Sequence, residues 1–197
     1  KGVALALHAT PPVSRLSPEA HAGTVSQIRA HRSAHPVRRL IAGNFKANLA
    51  KGMTLREYLT ALRLKLDGLR NTDVIIYLPD TMLKEGVQIA KELDFPSYFH
   101  IGAEDVSKIG ELGAWTGETT PPLLQEAEVA HVMIGHSERR TVVDPVSKRR
   151  IRVAGQGEDH ETILRKVKNA RAAGFHVTLA IGETYDERYP NLRNEPQ

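Results

Sequence analysis

From Leu40 onward, short apolar runs alternate along the chain with longer amphipathic segments. Apolar runs of this length suit strands buried on both faces, while the longer segments repeat their apolar residues every three or four positions, as a helix does. Strands connected by helices pair in parallel through right-handed crossovers. The pattern therefore predicts an α/β fold with a parallel sheet. The composition, with 41% hydrophobic and 25% charged residues, is ordinary for a globular protein.

The apolar periodicity assigns an element to most of this region. The predicted strands are 39–44, 74–79, 98–103, 131–135 and 176–182, and the predicted helices are 53–69, 81–93 and 161–173. Thr54 and Glu57 have the spacing of a capping box at the start of the first helix, and Gly68 marks its end. Five strands with intervening helices are thus expected.

Polar side chains cluster directly after four of these strands. In a parallel sheet the carboxyl ends of the strands meet at one edge, and α/β proteins place their sites there. The polar residues at these positions are Asn44, Lys46, Glu104, Asp105, His136, Ser137, Glu138 and Glu183. The sequence therefore predicts a functional site at this edge of the sheet.

Four motifs occur in the order, and at close to the spacing, found in triosephosphate isomerases. They are GNFKAN (43–48), GAWTGE (113–118), GHSERR (135–140) and IGET (181–184). The stretch from about Leu40 to about Tyr189 thus resembles the triosephosphate isomerase family, whose fold is the (β/α)8 barrel. The resemblance implies a partial barrel in residues 40–197, with about five parallel strands and their helices. Residues 1–39 are expected to form an irregular extension, and an insertion near 143–155 falls outside the resemblance.

The resemblance implies roles for the polar residues at the strand ends. His136 matches the neutral histidine that acts as electrophile, and Lys46 matches the lysine that stabilises the oxyanion and the phosphate charge. Asn44 matches an asparagine that places the substrate, and Glu138 matches a carboxylate that orients this group. Without the resemblance, Asn44 would be part of an ordinary turn at the end of a strand and Lys46 a surface lysine. Glu138 would be an acid at the start of a helix, and His136 would satisfy a buried backbone carbonyl group.

Three further residues match positions that support the site in the family. Thr116 lies in the loop that, in the family, inserts into a partner subunit. Glu118 and Arg139 match an ion pair that supports this geometry. The resemblance implies no cofactor and no metal, and triose phosphate as the ligand. One departure stands out, because Glu104 and Asp105 replace a glutamine and an asparagine and place two acids near the site.

The resemblance also implies a catalytic glutamate after a sixth strand, followed by a lid loop and most of the phosphate site. Because only five strands are predicted, the glutamate, the lid loop and most of the phosphate site are not expected before Gln197. Glu104 and Glu183 are the candidate substitutes, but each follows a different strand. Because placement errors of about 1 Å cost about 10²-fold in rate, neither is expected to replace the base. The chain is therefore predicted to be inactive.

Two functions remain open at this point. The favoured hypothesis is an inactive structural or accessory subunit, with a protein partner that covers the open barrel edge and binds the N-terminal extension. The alternative is a fragment or split half of an active isomerase that interconverts dihydroxyacetone phosphate and glyceraldehyde 3-phosphate.

The first 39 residues carry the excess positive charge. They hold six of the 27 basic residues and one of the 23 acidic ones, and are rich in Ala, Ser, His, Pro and Arg. This composition is typical of an organellar transit sequence or a disordered arm. We therefore expect a mitochondrial or other organellar location, with the cytoplasm as the alternative.

Other classes of site are less favoured. His31 and His35 have the spacing of metal ligands on a helix, but no further ligand accompanies them. The run KRRIR (148–152) raises RNA contact as a less favoured hypothesis, since such runs are more often solvated loops. With no apolar run near 18 residues, no membrane span is predicted. Cysteine is absent, which excludes disulfides and a cysteine nucleophile.

Overall fold

The computed structural model describes residues 4–6, 38–48 and 52–189, with only the backbone of residues 4–6. The pair His31 and His35 and most of the N-terminal extension lie outside the described residues. The strands are β1 (Ala4–Ala6), β2 (Arg39–Asn44), β3 (Thr72–Leu78), β4 (Phe99–Ala103), β5 (His131–Ile134), β6 (Val142–Val143), β7 (Arg150–Ile151) and β8 (His176–Ala180). The helices are α1 (Leu55–Leu66), α2 (Leu83–Glu92), α3 (Pro121–Glu126), α4 (Ser137–Arg140), α5 (His160–Ala172) and α6 (Tyr185–Arg188), with a 3-10 turn at Asp80–Met82.

Five parallel strands form the main sheet, in the order β2-β3-β4-β5-β8. The register pairs Ile41 with Val74, Val74 with Phe99, and Val132 with Val177. The sheet curls into half of a barrel with helices alongside it. The predicted fold class, a partial (β/α)8 barrel with about five parallel strands, is therefore confirmed.

The edge of β8 carries a strand that the sequence pattern did not predict. β1 pairs with β8 in the antiparallel sense, with Leu5 opposite Leu179. These residues belong to the segment expected to be irregular. An edge strand presents unpaired N–H and C=O groups that favour pairing with any extended segment. A short part of the extension itself thus occupies the edge for which a separate partner was expected.

The main core lies between the convex face of the sheet and the helices. Val74, Ile76 and Leu78 of β3 pack with Leu59 of α1 and Ile89 of α2, and all five are buried. Alternate residues of a strand point to opposite faces, so the other residues of β3 face the concave side. This arrangement gives the sheet two apolar faces, as expected for a parallel sheet.

The concave face has a smaller core. Ile75, Tyr77 and Met133 are buried there, with Leu40 against them. The Tyr77 hydroxyl donates to Thr178 Oγ1 at 2.6 Å, which connects β3 to β8 across the interior of the half-barrel. Burial raises the pKa of Tyr77 to about 12, so this hydroxyl stays a donor.

The three predicted helices are present, and each predicted bound lies within three residues of the observed one. The capping box is present, since Glu57 N–H donates to Thr54 Oγ1 at 3.2 Å and Thr54 N–H donates to Glu57 Oε2 at 2.7 Å. Helix α1 ends at Leu66, three residues before the predicted end, and Gly68 follows with φ of 89°. The short helices α3, α4 and α6 were not predicted, because too few turns are present for periodicity to register. No helix in the described part of the chain has the length and apolar character needed to cross a membrane.

Candidate active site

The turn after β2 brings Asn44 and Lys46 to the carboxyl edge of the sheet. Phe45 N–H donates to the Tyr77 carbonyl oxygen at 3.0 Å, so pairing with β3 continues into the turn. Asn44 Oδ1 accepts the Lys46 N–H at 2.8 Å, and Lys46 has φ of 55°. A lysine in this left-handed region costs on the order of 1–3 kcal/mol, and the surrounding contacts must maintain it.

The side chain of Lys46 reaches across the sheet edge to α4. Its Nζ lies 2.7 Å from Glu138 Oε1, although 92 positions separate the two residues. The hydrogen bond from Lys46 is the main reason why the pKa of Glu138 is lowered. Because both side chains are partly exposed, the pair adds little stability. The pair instead fixes where the ammonium group and the carboxylate lie at the sheet edge.

His136 directly precedes α4 and caps it. Its Nδ1 accepts the Glu138 N–H at 3.2 Å, so the proton of the neutral ring is on Nε2. The 3.4 Å approach of Nδ1 to Glu138 Oε2 is therefore not an ion pair. Burial lowers the pKa of His136. Lys46 also lowers it, and Glu138 opposes the shift. The imidazole is thus held neutral with Nε2–H as its donor.

Together these groups can polarise a carbonyl oxygen. A neutral imidazole donor and an ammonium group placed beforehand stabilise negative charge that develops on an oxygen in a reaction. Asn44 lies at the same edge, where its Nδ2 donates a long contact of 3.5 Å to Met133 Sδ. The structure brings Lys46, His136 and Glu138 together as the sequence predicted, while their catalytic roles stay predictions.

The acids after β4 have different environments. Burial raises the pKa of Glu104. Asp105 joins a charged network, since its Oδ2 lies 2.6 Å from Lys166 Nζ and 2.7 Å from Arg139 Nε. The same two cations contact Glu158 Oε1, each at 2.6 Å. This network of two carboxylates and two cationic side chains supports the carboxyl edge next to α4.

Sequence reasoning missed the buried member of this network. Lys166 is 3% exposed on α5. It lies three positions after Ile163 and four before Ala170, which are on the apolar face of the predicted helix. A lysine on such a face is rarely buried unless it is paired. This placement is the signal from which a buried ion pair could have been inferred.

Within this chain the structure does not place Glu118 against Arg139, and support of the site by this ion pair stays a prediction. Arg139 pairs instead with Asp105 and Glu158, which lie against it from β4 and the start of α5. The Glu118 carboxylate accepts a hydrogen bond from Ser107 Oγ at 2.5 Å, within its own loop. Thr116 is exposed in this loop. Its insertion into a partner subunit stays a prediction.

Among the described residues, no group of three or more His, Asp or Glu side chains is placed to hold a metal ion.

Comparison with known proteins places this geometry in a family. A family model described as triosephosphate isomerase matches residues 39–195. The triosephosphate isomerase of Paracidovorax citrulli is 35% identical over 153 residues, which are 77% of this chain and 53% of that protein. The triosephosphate isomerase of Granulibacter bethesdensis is 35% identical over 160 residues, or 81% of this chain and 57% of that protein.

A solved structure agrees with the sequence relatives. The crystal structure of triosephosphate isomerase from Bartonella henselae superposes with a TM-score of 0.61 at 29% identity, covering 79% of this chain and 56% of that one. The chain spans about half the length of the curated relatives it matches. The half-barrel, the arrangement at its carboxyl edge and a family model that covers most of the residues lead to one conclusion: this chain belongs to the triosephosphate isomerase family.

Proposed function

We propose that residues 39–189 form the electrophilic half of a triosephosphate isomerase site, with triose phosphates as the substrate class. The observation that carries the proposal is the chain of contacts from Lys46 Nζ to the Glu138 carboxylate and from Glu138 N–H to Nδ1 of His136. Nε2–H of His136 is then the group that donates to the substrate carbonyl oxygen. Lys46 balances the charge as that oxygen becomes part of an enediolate, and Asn44 helps to place the substrate.

Isomerisation also needs a base that removes a proton from carbon. We propose that a polypeptide of these 197 residues has no enzymatic turnover by itself. Glu138 already accepts from Lys46, and Glu183 pairs with Arg188 at 2.7 Å. Glu104 follows β4, and neighbouring strands are about 4.8 Å apart. An error of about 1 Å in the placement of a catalytic group costs about 10²-fold in rate. None of these carboxylates is therefore a substitute for a base that follows the sixth parallel strand of a complete barrel.

The role proposed for such a polypeptide is that of a structural or accessory subunit in a larger assembly, with a mitochondrial or other organellar location. The basic composition of residues 1–39 supports this role. The alternative is that these residues are part of an active isomerase. The coverage of only 53% and 57% of two relatives supports that alternative.

A turnover assay on the 197-residue polypeptide tests the proposal. We expect conversion of glyceraldehyde 3-phosphate to remain at the level of the His136→Gln variant. A rate above that level would refute the proposed inactivity. The His160→Gln variant is a matched control, since His160 is an exposed residue at the start of α5.

Complementation separates the two roles. The polypeptide is mixed with the C-terminal half of the Paracidovorax citrulli enzyme, which supplies the strands beyond the matched region. Turnover that appears in the mixture and is lost with Lys46→Met or His136→Gln would favour part of an active isomerase. No turnover, despite a complex formed by the two polypeptides, would favour the accessory role.

A further inference from the structure

The insertion near residues 143–155, which lies outside the family resemblance, forms an ordered hairpin. β6 and β7 pair in the antiparallel sense, with Val143 opposite Arg150. Asp144 Oδ1 accepts the N–H groups of Val146 and Ser147 at 2.8 and 2.6 Å, which fixes the turn. The basic run of this insertion is therefore held in a defined position.

The hairpin packs against α6, which follows β8. The Arg149 guanidinium lies 4.3 Å from the centre of the Tyr185 ring, and Arg152 Nε contacts Glu187 Oε1 at 2.6 Å. Two of the cations that raised the hypothesis of RNA contact are thus used within the chain. RNA contact has no support from these contacts, and we do not propose it.

The third arginine of the hairpin faces the site. Arg150 Nη2 lies 3.9 Å from Glu138 Oε1, and its Nη1 donates to Thr141 Oγ1 at 3.3 Å. Glu138 Oε1 is the same oxygen that Lys46 Nζ contacts at 2.7 Å. The Glu138 carboxylate therefore has a cation from the turn after β2 and a second cation from the hairpin.

We propose that Arg150 is a positioning residue of this site. With Lys46 it holds the Glu138 carboxylate, and its charge helps to keep the His136 imidazole neutral. The inference rests on the proposed function, because a neutral imidazole matters only if His136 donates to a carbonyl oxygen. It assigns the inserted hairpin a role in that function.

The charges around His136 are consistent with this role. Burial lowers its pKa most, the cations Lys46, Arg150 and Arg140 lower it further, and the anion Glu138 raises it. Removing Arg150 therefore shifts the balance toward the imidazolium form. Because Arg150 is 40% exposed and 3.9 Å from its partner, the contact has little value for stability. Its effect is on the charge state of the site.

NMR titration of the full chain, with its histidines labelled with 15N, tests the proposal. The chain has nine histidines, so the His136 signal is identified by its loss in His136→Gln. We expect Arg150→Gln to raise the titration midpoint of His136 and to leave the fold, monitored by circular dichroism, unchanged. Arg150→Lys keeps the charge and is expected to keep the midpoint near that of the parent chain.

Lys148→Gln is the matched control, since it removes the same charge from the same hairpin. Lys148 Nζ contacts the Pro145 carbonyl oxygen within its own turn. An unchanged midpoint in Arg150→Gln would overturn the proposal, as would an equal rise in Lys148→Gln or in Arg150→Lys. The titration requires no turnover, so its outcome is separate from that of the isomerase assay.

Discussion

Replacing Lys166 with methionine is expected to destabilise the fold strongly. The ammonium group is 2.6 Å from Asp105 Oδ2 and 2.6 Å from Glu158 Oε1, and the side chain is 4% exposed. At an effective dielectric constant of about 20, each contact has a gross attraction of about 6 kcal/mol, most of which offsets desolvation. Removing one partner of a buried ion pair typically costs about 3–5 kcal/mol, and here two buried carboxylates would be left with a single cation.

The surroundings of the two carboxylates offer little to compensate for the lost ammonium group. Asp105 Oδ1 and Glu158 Oε2 are buried without a hydrogen-bond partner among the described residues. In Lys166→Met, Arg139 is the one cation of the network that still contacts both carboxylates. Since typical domains have a free energy of unfolding of about 5–15 kcal/mol, the loss is a large part of the total.

Equilibrium denaturation in urea, followed by circular dichroism, measures this change in the free energy of unfolding. Lys168→Met is the matched control, because Lys168 is exposed on the same helix. The control is expected to change stability by less than about 0.5 kcal/mol. A loss below about 1 kcal/mol in Lys166→Met, or an equal loss in the control, would show that the network does not stabilise the fold.

The loss in free energy of unfolding caused by Lys166→Met, called the deficit below, is also expected to depend on pH. Burial raises the pKa of Asp105, while Lys166 and Arg139 oppose this shift. Without Lys166 the pKa rises further above its unfolded value. A carboxyl with a raised folded-state pKa favours folding below its unfolded pKa, and that contribution is lost as pH rises through the folded value. The deficit should therefore be smallest near pH 4 and grow toward neutral pH, and a deficit that grows on acidification would contradict this reasoning.

Two further substitutions test the concave face by the same denaturation measurement. Tyr77→Phe should cost about 1–2 kcal/mol, because it leaves the buried Thr178 hydroxyl without its donor. The double variant with Thr178→Val should recover part of this loss, and a strictly additive result would argue against the hydrogen bond. Gly102→Ala should cost about 1–3 kcal/mol, since its Cβ would lie 2.6 Å from the Tyr77 ring. In the control Gly182→Ala, the added Cβ would lie in open space, and the free energy of unfolding should hardly change. An equal loss of stability in the two glycine variants would exclude overpacking as the cause.

Local patterns in the sequence were sufficient for the framework of the fold. The predicted strand 39–44 coincides with β2, and the capping box of Thr54 and Glu57 starts α1 as expected. Each of these signals acts within a few residues, through side-chain alternation or a hydrogen bond to a nearby backbone group. The motifs added the family and the order of the polar residues along the carboxyl edge.

Other features depend on contacts between distant parts of the chain. The Glu118–Arg139 pairing was expected from motif positions alone, whereas within this chain Arg139 contacts Asp105 and Glu158. The antiparallel pairing of β1 with β8 joins residues more than 170 positions apart. No periodicity within either segment indicates such a contact, because it depends on which edge the rest of the fold leaves available.

The sequence by itself determined the parallel half-barrel, the family and the edge at which its polar residues gather. Only the tertiary structure decided the chemical state of that edge. Lys46 reaches Glu138 across 92 positions, and His136 uses Nδ1 as an acceptor, which leaves the proton on Nε2. Arg150 comes to the same carboxylate from an insertion that no motif covers. The physical reason is that charge state depends on burial and on distances of a few ångströms, which packing sets and local periodicity does not encode.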